Sequence, residues 1–241
     1  MLIKSLQSIG ATAAILLATT VSSASPLLSE SAIQMSLEFP PAPNRQSAQS
    51  SAGGGTRSGN PEIAKVCSQG DTPLMALMPK DIEVQKTISP RPDFFLFVPQ
   101  TAAKTFEFIL TDITGDDVYV DTLALPETSG ILQISLPENV SLEVGQTYRW
   151  NITISCDPDN PSAFESIQGD IERIELNDDL KTQIEATHEP LKKAELYAQQ
   201  RIWQDTLMLM VGLRESNPAE WEQFLQSVGL EAIATAPMIQ N

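Results

Sequence analysis

The chain has 241 residues, 41% of them hydrophobic, with 15 Lys and Arg against 31 Asp and Glu and a formal net charge of −16. That length suits one domain with an appendage, and the apolar share is enough for a core. The acidity and the lack of a basic patch argue against nucleic acid, whose phosphates need clustered cations, and against spontaneous binding to anionic lipid.

Taken from the start, residues 1–24 read as a secretory signal peptide. Lys4 supplies the positive end, Ile9–Val21 the apolar stretch, and Ser22-Ser23-Ala24 the small residues of a cleavage site. The apolar stretch is too short to span a bilayer, and no later segment is long and apolar enough. An exported protein, periplasmic or extracellular, with no transmembrane segment after signal removal is expected. Residues 25–65 are rich in Ser, Pro, Ala, Gln and Gly and read as a disordered linker. Its Gly53-Gly54-Gly55-Thr56-Arg57 run lacks the Gly-Lys-Ser/Thr and the strand–helix context of a phosphate loop. No cofactor is expected.

From there the pattern is that of strands. Leu74–Pro79 and Ile82–Thr87 are short candidates. Phe94–Val98 is a continuous apolar run that suits a buried strand. Phe106, Phe108 and Leu110 alternate with other residues, and Asp112–Asp117 forms a tight turn with Gly115 free for positive φ. Val118, Val120 and Leu123 return, and Gly130–Leu136 makes the next strand. The longest signal follows. Tyr148, Trp150, Ile152, Ile154 and Cys156 occupy every second position, with Arg149, Asn151, Thr153 and Ser155 between them. That period of two predicts a strand of an antiparallel sheet with one face buried and one wet. Its approach, Leu142-x-x-Gly145-x-x-Tyr148-x-Trp150, resembles the tyrosine corner of immunoglobulin-like sandwiches, in which the Tyr hydroxyl ties back to upstream backbone. Phe164–Leu176 holds a last strand, with Ile171, Ile174 and Leu176 apolar. The even cysteine count of an exported chain predicts one disulfide, Cys67–Cys156.

After Asn177 the period becomes helical. Leu180–Glu189 is a polar helical segment, and Pro190 sits at the first turn of the next helix. Leu191, Ala194, Ala198, Ile202 and Leu209 continue the stripe into the uncharged stretch 206–213, which must be covered from more than one side. Asn217-Pro218-Ala219-Glu220 starts a further helix with Asn217 as N-cap. Trp221, Phe224, Leu225 and Val228 form its apolar stripe, and Gly229 follows its end. The two main helices are expected to form an antiparallel hairpin packed on the sandwich or on each other.

Chemistry is sparse. The one histidine, His188, lies in a polar region with no ligand-spaced neighbours, so no triad or His-based metal site is expected. The adjacent pairs Asp116/Asp117 and Asp178/Asp179 suit solvated turns better than the facing carboxylates of a hydrolase. Asp112, Asp116 and Asp117 in one loop and Asp157, Asp159 and Asn160 in another are weak candidates for Ca²⁺, without the EF-hand spacing. Asp205 stands out in an apolar helix, where it would cap or pair with a buried donor such as that of Trp203 or Tyr148.

The motifs Phe94–Pro99, Val118-Tyr119, Gly130–Pro137, Leu142–Trp150, Cys156-Asp157-Pro158, Ile202–Leu207 and Ser227–Ala234 together resemble a cyanobacterial secreted family called domain of unknown function 928. The resemblance covers about 66–237 and implies fold and location rather than an activity. It departs from the expected pattern at Arg201, where Gly is expected, and at Gln204, where an aromatic is expected.

The expected fold class is mainly β with C-terminal α, an immunoglobulin-like antiparallel β-sandwich (66–176) followed by a helical hairpin (177–241) packing on it. The expected role is a non-enzymatic interaction or structural module of the cell envelope, with an envelope protein as partner. A glycan- or other ligand-binding sandwich is the alternative, and a carboxylate-dependent hydrolase is the third reading. Exposed aromatics beside polar loops would favour glycan binding, and burial of Tyr148 and Trp150 would weaken it.

Overall fold

The computed structural model describes residues 37–41, 67–69, 72–156 and 164–240. Residues 1–24 read as a signal peptide, most of the stretch read as a linker, and Asp157, Asp159 and Asn160 lie outside the described residues. Among those described, the strands β1 (Ser68–Gln69), β2 (Met75–Ala76), β3 (Val84–Thr87), β4 (Asp93–Val98), β5 (Gln100–Thr101), β6 (Thr105–Asp112), β7 (Asp117–Ala124), β8 (Gly130–Ser135), β9 (Thr147–Ser155) and β10 (Phe164–Arg173) come first. The helices α1 (Asp178–Ala186), α2 (Pro190–Gln199), α3 (Trp203–Leu213) and α4 (Pro218–Ser227) follow. A 3₁₀ turn (Glu231–Ile233) and β11 (Met238–Ile239) end the chain.

One sheet has five strands in the order β3-β10-β9-β6-β7, and the other has four in the order β11-β8-β4-β2. β1 and β5 form a small separate pair. Pairing is antiparallel as expected, with two exceptions: β3 joins β10 in parallel, and β11 joins β8 in parallel. Nothing in the sequence pattern announces β11. It docks because Gly130 leaves room for it: a Cβ there would lie 2.4 Å from Pro237 O, which instead accepts the Ile131 N–H at 2.7 Å.

The alternation in β9 does what its period demands. Tyr148, Trp150, Ile152 and Ile154 are buried, and the residues between them are half-buried or exposed. They meet Phe106, Phe108 and Leu110 of β6, Ile167 and Ile171 of β10, and Phe94, Leu96, Val98, Leu132 and Ile134 of the four-stranded sheet in one core. Phe94 and Phe108 touch across it, with ring centroids 5.1 Å apart. Gly169 lies opposite Trp150 in register, and a Cβ there would come within 2.5 Å of the indole, so the ring needs that glycine beneath it.

The run Phe94–Val98 does not alternate because β4 is buried on both faces. Phe95 and Phe97, with Ile131 of β8, point away from the first core and meet Ala198, Trp203, Leu207, Met210, Trp221 and Phe224 in a second one. The described residues therefore form three layers: five-stranded sheet, four-stranded sheet, helices. The uncharged stretch of α3 is covered by that middle sheet and by α4. Trp203 is fully buried, donates its Nε1–H to Leu77 O at 2.9 Å and stacks on Phe224.

Four expectations are corrected. The C-terminal region is four helices, not a two-helix hairpin. The apolar stripe running from α2 into α3 is interrupted at Gln200–Ile202, where Arg201 adopts φ 58°. Within the stretch read as linker, residues 37–41 are packed: Leu37 and Phe39 are buried in the second core, and the Phe39 N–H donates to Ser227 Oγ at 3.1 Å. Asn217 stands at the N-cap position but makes no side-chain capping bond, its Oδ1 accepting from Ser216 Oγ instead. An Asn cap does form at Asn177, whose Oδ1 accepts the Leu180 N–H at 2.8 Å.

Candidate functional site

The corner that introduces β9 also shapes a cleft. Gly145 turns the chain with φ 78°, and its N–H donates to Arg173 O at 2.7 Å. The Arg173 N–H donates in return to Gln146 O at 3.2 Å. Tyr148 Oη accepts the Glu143 N–H at 3.0 Å, the backward tie expected of this motif. Leu142 N–H donates to Pro90 O at 2.8 Å, which fixes the corner against the end of β3. Arg173 completes the junction, its Nη1 donating to Leu142 O at 2.6 Å and its Nε to Ile88 O at 3.4 Å.

Between this corner and helices α1 and α2 lies a cleft of about 500 Å³. That volume is within the range of small-ligand sites. Ile88, Ile174, Leu176 and Ile184 line it with apolar surface and belong to a cluster that also holds Leu180, Tyr197 and Ile202. Val144 is at its rim, 48% exposed. Glu175, Asp178, Lys181 and Glu185 supply charge. Arg173 also lines it, and among the described residues no carboxylate lies within 4.0 Å of its guanidinium. Two carbonyls therefore hold the group in place.

Asp205 stands behind this floor, in the first turn of α3. Its Oδ2 accepts the Ile88 N–H at 3.0 Å, and the Thr87 hydroxyl bonds to it as well. It is not a partner of Trp203 or Tyr148, whose polar groups bond elsewhere. Burial pushes its carboxyl above the ordinary value of 3.8, and those two bonds pull it part of the way back. Burial, then the Asp205 charge, pushes the neighbouring Tyr197 hydroxyl up from 10.0. The cleft lining thus combines the apolar surface with Arg173, Lys181, three carboxylates and the Tyr197 ring.

The loop weighed for calcium lies at the same strand ends as the corner, with Asp112 paired to Tyr148 in register, but on the β7 side of the five-stranded sheet. Asp112 Oδ1 accepts from Thr114 N–H at 2.8 Å, Thr114 Oγ1 at 2.7 Å and Asp116 N–H at 3.0 Å. The Thr114 hydroxyl bond, with those backbone donors, holds the Asp112 carboxyl below its ordinary value. Thr114 Oγ1 also reaches Asp116 Oδ2 at 3.1 Å, and Asp117 begins the edge strand β7. The carboxylate is thus consumed by the turn itself, and among the described residues no three His, Cys, Asp or Glu converge on a metal position. Beside this turn Arg149 and Asp170 pair through two bonds of 2.8 and 3.0 Å. His188 is exposed between α1 and α2.

Cys67 and Cys156 form the disulfide, with Cα atoms 5.1 Å apart. Sequence reasoning missed Arg173 and the cleft, because an Arg at a strand end carries no signature until the corner loop is folded onto it. No described helix is long and apolar enough to cross a membrane. No curated protein and no solved structure matches the chain. A family model does match residues 52–238, most of the chain, with the strand, corner and helix motifs that build this junction all inside the match, and the chain belongs to that family, described as Domain of Unknown Function (DUF928).

Proposed function

We propose that this chain is an exported, non-enzymatic interaction module of the cell envelope that takes a segment of a partner protein into the cleft between sandwich and helices. The observation that carries the reading is Arg173, fixed by Leu142 O and Ile88 O over an apolar floor and without a carboxylate partner among the described residues. Export is supported by the signal-like residues 1–24 and by the disulfide, which persists in oxidising compartments. The immunoglobulin-like reading of the two sheets draws on the Tyr148 tie to Glu143 N–H.

Glycan binding draws less support. Tyr148 and Trp150 are 7% and 2% exposed, so neither offers a ring on which a sugar could stack. A hydrolase would need two facing acids, and the bonds to Asp205 come from an amide and a hydroxyl.

The test is capture from detergent-solubilised envelope by the mature full-length protein beside Val144→Arg and Glu185→Lys, two exposed cleft positions that leave both cores untouched. One protein captured by the parent and lost with both variants is the expected result. Equal capture by all three, or no protein captured by any, would sink the reading and turn attention to glycan arrays with the intact protein.

A further inference from the structure

The five-stranded sheet has two edges, and they are treated differently. β3 lies at one edge and is buried against α3, where Asp205 accepts the amide of Ile88 just beyond the strand. β7 lies at the other, and among the described residues it pairs with β6 alone. It is eight residues long and contains no Pro, Lys or Arg. A long, open edge of that kind is a template for strand addition.

The register says which groups are open. Leu125 N–H donates to Lys104 O at 2.8 Å, so the antiparallel alternation sends the N–H and C=O groups of Tyr119, Asp121 and Leu123 to β6. Those of Val120, Thr122 and Ala124 point away from the sheet, and all three residues are exposed. Val120 adds apolar surface there, 47% exposed. One of the three outward amides is guarded: Asp121 Oδ1 accepts the Thr122 N–H at 2.8 Å, while the Tyr119 hydroxyl donates to Asp121 Oδ2 at 2.8 Å. Asp121 is therefore a carboxylate clamped across the open edge, opposite the fully buried Phe108.

We propose that β7 is a strand-addition site for an extended partner segment carrying basic side chains, with Asp121 as its selector. The charge pattern picks this occupant over a second copy of the chain. Another β7 would bring Asp117 and Asp121 against the same residues, on molecules that each carry a net charge of −16. A Lys or Arg of an incoming strand instead meets Asp121 directly. It draws Oδ1 away from the Thr122 amide, which is then free for a carbonyl of the new strand. The edge excludes acidic strands and neutral aggregation partners by the same contact. The surface is separate from the cleft, and the proposal does not depend on the role assigned there.

The probes are two octapeptides, one alternating Lys and Thr, the other alternating Glu and Thr, titrated into the full-length protein at low salt with amide shifts as readout. The expected result is that the Lys peptide shifts the amides of Val120, Thr122 and Ala124, and that the Glu peptide binds at least about tenfold more weakly, a difference of about 1.4 kcal/mol. Val120→Pro removes one outward N–H without touching the β6–β7 ladder, since an edge strand tolerates Pro there, and is expected to abolish the shifts with melting unchanged. Asp121→Lys, which needs no backbone change, is expected to reverse the preference to the Glu peptide. Lys-peptide shifts scattered over the acidic surface, binding unaffected in both variants, or a dimer of the parent protein that Val120→Pro dissolves would each overturn the proposal.

Discussion

Asp205 shows how one side chain ties the helical layer to a sheet edge. The helix N-terminus around it favours a negative charge, and the Ile88 amide and Thr87 hydroxyl are directed at it. Burial is nevertheless the largest influence and raises the carboxyl above 3.8. The folded state therefore keeps the proton to higher pH than the unfolded chain does. Through the window from 3.8 up to the raised value the folded state binds more protons, so this residue's contribution to stability falls as pH rises. Asp205→Asn keeps an oxygen acceptor for the Ile88 N–H and carries no charge. Its stability relative to the parent is expected to be lowest near pH 3.5 and to climb toward pH 7, read as urea midpoints at several pH values. A difference that stays flat, or moves the other way, would mean that the ionised form is the one the fold prefers. The oddity of this residue was visible in the sequence, as a lone acid in an uncharged helix. Its partners were not, because Thr87 and Ile88 are more than a hundred residues away and reach it only through the parallel pairing of β3.

The break between α2 and α3 carries the next prediction. Arg201 sits at φ 58°, a left-handed conformation that favours glycine, and a non-Gly residue there is strained by roughly 1 kcal/mol. The same side chain does local work: Nη1 donates to Pro40 O, the guanidinium is 5.6 Å from the Phe39 ring centroid, and Nη2 lies 4.0 Å from Asp81. Arg201→Gly removes the strain and the contacts together. Global stability is expected to change by less than about 1 kcal/mol, while amide exchange at Leu37 and Phe39 speeds up at least severalfold. Unchanged exchange there would show that Phe39 is held by Trp203 and Ser227 alone. This break also marks where the sequence misled. Ala198 and Ile202 keep the apolar spacing across it, and Arg in place of Gly hides the turn, so one long helix is the natural reading. The strands were far more legible, since β6, β8 and β9 follow alternation or prolines that local rules decode. β11 was not, because two residues against Gly130 carry no periodic signal. The cleft depends on contacts among residues 88, 144, 173 and 197, which no spacing rule joins.

The three-layer plan makes the middle sheet the shared property of both cores, and this fixes what the helices are for. β4 sends Phe94, Leu96 and Val98 one way and Phe95 and Phe97 the other, so the four-stranded sheet has no wet face. The apolar surface of α3 and α4 is spent on it, leaving Met208, 44% exposed, as the large apolar side chain of α3 that faces water. The apolar faces of α3 and α4 are thus taken up within the fold, and the partner surfaces proposed are the junction cleft and the β7 edge. A chain ending at 176 would keep every strand of the five-stranded sheet and still uncover Phe95, Phe97 and Ile131, each of whose exposure costs about 1.5–3 kcal/mol. It would also lose β11 from the edge beside β8. That loss approaches the whole stability of an ordinary domain. The truncated chain is expected to aggregate, or to bind a hydrophobic dye such as ANS with loss of near-ultraviolet dichroism, even with the Cys67–Cys156 bridge intact. A soluble, cooperatively melting fragment would mean that the two sheets alone hold the fold and that the helical layer is an independent appendage.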